Sequence, residues 1–354
     1  MTVQMKRTVG DIIVGVDTDK KHYVFTVREQ GVNIMHKTLV AVPAALHNYI
    51  KKQFPGKNPI YVYEAGPTGF GLYDYLTALK VPCHVISTLS MPVAKCETVK
   101  NNGIDSRKLA EYMEAGKLRS IRVPMNEYRE LRHLTKVREL CVSYRTKAKQ
   151  RIKGLLLYSS ISDSKLDASK HWSTGYIGTL RDLKITPAER YRLDCLLEDL
   201  DYARLNLIKT HKELKTFCKT YPNVRKNVKY LESIPGIGFI TAVTILGKIG
   251  EPSLLRYSKE IASFLGLTQW EYSTGDVQSR GSITHFGNKV LRKLLVECAW
   301  AAIRKDVRLN QFYHRIKNRN NPKYASQIAI VAVARKMTQI IYRVLKEQRC
   351  YAQY

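Results

Sequence analysis

Apolar positions follow three different rhythms along the chain. Up to residue 124 they gather in short runs. DIIVGVD (11–17) is an apolar strand ending in Asp, and HYVFTVRE (22–29) and VNIMHKTLV (32–40) follow with the Gln30-Gly31 turn between them. That spacing predicts a three-strand meander. PAALHNYIKKQF (43–54) has helical spacing, and PIYVYEAG (59–66) is a buried strand ending in Glu. LYDYLTALK (72–80) then reads as a helix, VPCHVIS (81–87) as a strand and 104–116 as a helix, and LRSIRVP (118–124) closes the region.

From Leu131 the rhythm lengthens. Leu131, Leu134, Val137, Cys141, Tyr144, Ala148, Ile152 and Leu155 recur at steps of three and four, and Leu193, Leu197, Leu200, Ala203, Leu207, His211 and Leu214 repeat the pattern. Two long amphipathic helices joined by the polar stretch 158–186 predict an antiparallel hairpin, serving for packing, for dimerisation or for binding. The last third is helical at 234–250, 258–267, 289–305 and 325–347. It is interrupted by QWEYSTGDVQSRGSITHFGN (269–288), which is rich in Gly, Ser and Thr, has no helical period and reads as a polar loop, a common place for chemistry. The expected domains are 1–124, 125–228 and 229–354. The first is α/β, with the strand and helix order of an RNase H-like fold. The second is a helical hairpin and the third is mainly α.

Charge narrows the class. Among 354 residues, 59 Lys and Arg face 30 Asp and Glu, a formal net charge of +29. It is spread as +7 over 1–123, +11 over 124–229 and +11 over 230–354, so folded domains rather than a tail carry it. A surplus of that size calls for a polyanion, and nucleic acid is the leading partner. Between 124 and 157 nine basic residues face three acidic ones, enough to track a phosphate backbone; Arg145, Lys149 and Lys153 are the candidates. Seven scattered Cys without a C-x-x-C pair exclude a disulfide framework and a zinc module. No run of about 18 apolar residues spans a membrane, and the opening MTVQMKRTVGD lacks the apolar core of a signal peptide, so a cytosolic protein is expected.

Three acids are placed for chemistry. Asp17 and Glu64 end two strands that lie side by side in an RNase H-like sheet, and Asp105 stands where a helix begins, beside Arg107 and Lys108. Carboxylates gathered in one crevice repel unless hard cations such as Mg²⁺ or Mn²⁺ sit between them, and such ions support phosphoryl transfer. The structural roles of the same residues are strand-end caps and, for Asp105, a helix N-cap. In the last third, IPGIG (234–238) has the form of a helix-hairpin-helix turn. There Gly236 and Gly238 would let the backbone approach a phosphate, the alternative being a plain turn. Arg280, Lys289, Arg292 and Lys293 surround the polar loop and could hold a phosphate or simply solvate a helix face. Trp270 and Tyr272 could stack on bases or pack in a core, and His285 could shuttle a proton.

GVDTDKKHYVFTV, EAGPTGFGLYDYL and VKNNGIDSRKLAEYMEAGKLRSIRVP followed by an Arg-rich helix together resemble the DEDD insertion-sequence transposases, also called bridge-RNA-guided recombinases, to which Piv-type invertases are related. SIPGIGFITAVTILGKIG, LGLTQWEYSTGD, RGSITHFGNKVLRKLL and AIVAVARKM resemble the C-terminal transposase domain of the same family, so the likeness runs along nearly the whole chain in order. It implies a RuvC-like first domain with four metal-binding positions. The first two match Asp17 and Glu64. The third block, K-T-D-x-x-D in the family, aligns on Lys100, Asn101, Asn102, Gly103, Ile104 and Asp105. The fourth acid is thus Asp105, while Asn102 replaces the third. Asn offers an oxygen but no charge, so either three carboxylates suffice, or Glu97 or Asp19 compensates, or the site is weakened.

The resemblance also implies a serine nucleophile matching Ser273 in YSTG, with Thr274, Ser279 and above all Ser282 as competing hydroxyls. It implies DNA cutting and rejoining through a covalent phosphoserine link with Mg²⁺, on donor and target duplexes. A structured non-coding guide RNA, and a homodimer that pairs into a tetramer on DNA with a composite site, are further implications. Two other classes use the same residues: a Holliday-junction-like nuclease that employs water, and a nucleic-acid-binding relic weakened at Asn102.

Overall fold

The structure is a computed structural model that describes residues 11–87, 102–161, 172–274, 277–284 and 286–352. The chain divides into two compact units, 1–123 and 124–354. The first is mixed α/β and the second mainly helical.

In the first unit, β1 (Asp11–Thr18), β2 (His22–Glu29), β3 (Val32–Val40), β4 (Asn58–Glu64) and β5 (Cys83–Ile86) form one sheet in the order β3-β2-β1-β4-β5. β1, β2 and β3 pair antiparallel, and β4 runs parallel to both β1 and β5. The central β1 is apolar without interruption because both its faces are covered. One face carries α1 (Pro43–Gln53) and α2 (Gly71–Ala78), with Val14, Val16, Phe25, Leu46, Ile50, Tyr61 and Leu76 in the core between. The other carries α3 (Asn102–Glu114), through Leu109, Ala110 and Met113. β3 is an edge strand and mostly exposed, with Val32, Ile34 and Val40 among its exposed side chains. The stretch 118–124 forms no full strand: Ser120 makes an isolated antiparallel bridge to Ile86.

In the second unit α4 (Asn126–Tyr158) packs along α6 (Pro187–Thr220), the latter opened by a capping box between Thr186 and Glu189. The stretch between them also holds a short helix, α5 (Thr174–Arg181), which the polar composition hides. At that end Ile152, Leu155, Leu193 and Leu197 close a small core with Tyr176 and Leu180. At the other end Tyr128, Leu131, Leu214 and Cys218 join the main helical core. That core is built by α7 (Pro222–Glu232), α8 (Phe239–Ile249), α9 (Ser258–Phe264), α10 (Lys289–Ala302), α11 (Val307–Lys317) and α12 (Ala325–Glu347).

The segment 269–288 departs from expectation. It is a two-stranded antiparallel ribbon, β6 (Gln269–Thr274) and β7 (Val277–Ile283), rather than an irregular loop. Its polar residues mask the strand signal, since a lone ribbon has little core to fill and needs few apolar positions. Among the described residues no helix is long and apolar enough to cross a membrane.

Candidate active site

Val16 pairs with Tyr63 in the parallel β1–β4 ladder, so Asp17 and Glu64 are the next residues at the C-terminal ends of neighbouring strands. Alternation sets Asp17 on the face of Ile13, and Glu64 on the face of Ile60 and Val62; those three pack with α3. Both acids therefore lie on the α3 side, and α3 carries Asp105 in its first turn.

Gly15 sets how close the helix comes. A Cβ there would stand 2.3 Å from the Ser106 carbonyl oxygen and 2.6 Å from the Ala110 nitrogen, so only glycine admits α3 at this height. A buried hydroxyl bond of 3.0 Å between Thr26 and Ser106 fixes the helix against β2. At the other end of α3, Glu114 accepts from Arg28 and from the Gly31 amide. The loop following Glu64 is tied to the end of β1 by a 2.9 Å hydroxyl bond between Thr18 and Thr68.

The acids feel one another. The Asp17 carboxyl is held above its usual range, first by burial and then by the carboxylates of Asp105, Glu64 and Asp19. Mutually opposed hard oxygens are the donor set a divalent cation neutralises. Among the described residues, no three His, Cys, Asp or Glu side chains are gathered tightly enough to enclose an ion. Asn102 opens α3 one turn before Asp105. Asp19 is exposed, and Glu97 lies outside the described residues.

Ser273 stands in β6 opposite Gln278, next to the tip of the ribbon, and Arg280 lies opposite Glu271. Ser282 is exposed toward the base. The neck is clamped by features that the sequence reading passed over. Gly266 and Gly287 both have positive φ and meet where the chain enters and leaves. A Cβ on Gly266 would be 2.0 Å from the Phe286 carbonyl oxygen, and one on Gly287 would be 2.5 Å from the Gly266 nitrogen. Arg292 donates from Nη1 to the carbonyls of Thr284 (3.1 Å), Gly266 (3.2 Å) and Leu265 (3.4 Å), so its guanidinium braces the neck. The glycines flanking the segment, in LGL and FGN, were the available signal. Lys289 and Lys293 are exposed on α10, and Lys293 lies 4.0 Å from Glu297. Trp270 is exposed, and His285 lies outside the described residues.

The IPGIG glycines divide their roles. Gly236 has φ of 84°, and a Cβ on it would meet the Cys298 carbonyl oxygen at 2.3 Å, so it serves packing on α10. Gly238 caps α8 with open space around it. On the hairpin, the Lys149 ammonium lies 5.1 Å from the Trp172 ring centroid. Its pKa is lowered by burial and by Arg145, Arg204 and Lys153, which marks a cationic cluster.

Comparison with known proteins matches both units. The model for DEDD transposases of the IS110 type, described as Transposase, matches residues 14–159, and that of the Transposase IS116/IS110/IS902 family matches 228–314. The chain is 26% identical to y4qE of Sinorhizobium fredii, named as a transposase, over 97% of this chain and 91% of that protein. It is 24% identical to the transposase for insertion sequence element IS1111A of Coxiella burnetii, over 98% and 93% respectively. A shorter likeness, 29% identical over 36% of this chain and 39% of the other, links it to the pilin gene-inverting protein of Moraxella bovis. With one model on the part that carries the acids, the other on the part that carries the serine ribbon, and relatives aligned from end to end, the chain belongs to the IS110-type DEDD transposases, mobile-element DNA recombinases.

Proposed function

We propose that this transposase cuts and rejoins DNA through a covalent serine link, with Ser273 as nucleophile and with Asp17, Glu64 and Asp105, joined by Asn102, holding Mg²⁺ or Mn²⁺. The observation that carries the reading is the pair of neighbouring parallel strands that carry Asp17 and Glu64 at their C-terminal ends beneath a helix bearing Asp105. This is the order of an RNase H-like, RuvC-like unit, and it lies in a family whose DEDD character implies a divalent metal. A cation held there would polarise a phosphate and stabilise the leaving oxygen. Ser273 Oγ bonds to phosphorus as a phosphorus–oxygen bond to a sugar breaks, and the hydroxyl proton ends on the freed sugar oxygen. The link retains the bond energy, and attack by another strand's hydroxyl rejoins the DNA. Arg280 and Lys289 neutralise the phosphate, Arg292 holds the ribbon's neck, and Gly238 at the start of α8 contacts the backbone of the duplex.

Trapping on DNA followed by a denaturing gel tests this. The native chain should give a covalent adduct, and Ser273→Ala should give none and no strand transfer, while its melting temperature scarcely moves. Full activity in Ser273→Ala, or loss only in Ser282→Ala, would sink the assignment. Cut DNA without an adduct would point to the water-using nuclease.

The same reading includes guidance by a structured RNA, with dimers pairing into a tetramer on two duplexes. The Arg145, Lys149 and Lys153 cluster supports the RNA part. The purified chain should carry RNA, and log affinity should fall linearly with log salt. Reversing the three residues to Glu should weaken RNA binding severalfold; unchanged binding would leave the hairpin a packing arm.

A further inference from the structure

A groove of about 580 Å³ runs between the base of the β6–β7 ribbon and the N-terminal half of α12. Its size lies in the roughly 300–1,000 Å³ range of small-molecule sites. Ile283, Ile328 and Val331 give it apolar walls, while Asn320, Gln327 and Arg335 supply polar groups. Tyr324, 53% exposed, stands in the same lining, with the Lys323 ammonium 5.3 Å from its ring centroid. Among the described residues no acidic residue lines the groove, while Arg335 lines it and Arg319 and Lys323 stand in the chain beside Asn320 and Tyr324.

We propose that this groove holds one unstacked base of the DNA strand on which the ribbon acts, an inference that rests on the serine reading above. The rim is cationic, as a phosphate chain requires. The interior is apolar and aromatic, which a phosphate does not use but the face of a base does. Side-chain amides match the donor and acceptor edges of bases; Asn320 donates its amide NH to the Ile316 carbonyl, which leaves its carbonyl oxygen to accept. Gly281 and Ser282 of β7 line the groove, three and four residues from Gln278, the partner of Ser273. Three strand residues span about 10 Å, a few base steps at roughly 3.4 Å each. A base drawn out there would fix the register of the strand at the serine.

The test uses the full chain carrying Ser273→Ala, so that nothing is cut, and a single-stranded oligodeoxynucleotide containing 4-thiothymidine. Irradiation and mass spectrometry should place the cross-link on Tyr324 or its neighbours in 318–335. Tyr324→Ala and Ile328→Asp, both at exposed positions, should each weaken binding of the single strand at least about fivefold with an unchanged melt. Cross-links confined to other segments, with native affinity in both variants, would overturn the proposal. So would a 4-thiouridine RNA of the same sequence that displaces the DNA from Tyr324, because the occupant would then be RNA. A Tyr324 cross-link alongside full strand transfer by Ser273→Ala would uphold the groove and remove the serine reading, so the two failures are told apart.

Discussion

The acids and the serine ribbon are held in opposite ways. Asp17 and Glu64 end strands buried on both faces, and α3 is pressed onto β1 at a glycine that admits no side chain. The ribbon has two strands and is secured at its neck, by Gly266, Gly287 and the three bonds of Arg292. Carboxylates that repel one another need a frame that tolerates the repulsion. If Ser273 is the nucleophile proposed above, it needs only a fixed root and access to its substrate. The first arrangement places its packing around the acids themselves, the second at a distance from Ser273.

The largest effects should come from the acids. Asp17→Ala or Glu64→Ala should abolish strand transfer, and activity should require Mg²⁺ or Mn²⁺; undiminished transfer in excess chelator would falsify this. The frame makes a second, opposite forecast for stability. In chelator Asp17 is a part-buried charge opposed by Asp105, Glu64 and Asp19. Asp17→Asn should therefore melt roughly a degree or more above the native chain while being inactive. A lower melting temperature would mean that the carboxylate supports the fold, and the contrast with the ribbon would lose its basis.

Next comes the frame itself. Gly15→Ala forces α3 away from β1, since a methyl cannot share 2.3 Å with a backbone oxygen. Denaturant unfolding should show a loss of about 1–3 kcal/mol, and strand transfer should fall as Asp105 moves. Gly238→Ala, with open space around it, should cost less, about 0.5–1 kcal/mol from the poorer N-cap alone. Equal costs at the two glycines would show that the packing of α3 is not what the first unit depends on.

What could be read from the sequence follows the same division. The strands of the first unit are apolar runs bounded by turn residues, and their order along the chain sets Asp17 beside Glu64, as the β1–β4 register has them. The ribbon is polar because it has little core to fill, so hydrophobic rhythm could not announce it, and 269–288 reads as a loop. Arg292 reads as a phosphate ligand because its neighbours are basic, yet its guanidinium meets the carbonyls of Leu265, Gly266 and Thr284, on the two segments that enter and leave the ribbon. Gly236 likewise reads as a phosphate turn, while the space its side chain would need belongs to Cys298 and Ala302. Pattern reports what a segment buries. It does not report which distant backbone comes to meet it.

The smallest effect, and the sharpest test of the acid frame, concerns Asn102. It opens α3 one turn before Asp105, and residues three apart are neighbours on a helix surface. Asn102→Asp would add a further carboxylate to a set whose charges already oppose one another. Without metal the addition should lower the melting temperature slightly, since like charges at short range disfavour ionisation and the folded arrangement that holds them together. With metal the added charge should tighten binding, so half-maximal strand transfer should need less Mg²⁺. The measurement is a metal titration of both chains, followed by melting and by strand transfer. The Asp chain should start lower and gain more on saturation, so that the two melting curves approach or cross. Parallel titrations would place Asn102 outside the site, leave three carboxylates to hold the cation, and require the third block of the motif to be aligned on a different residue.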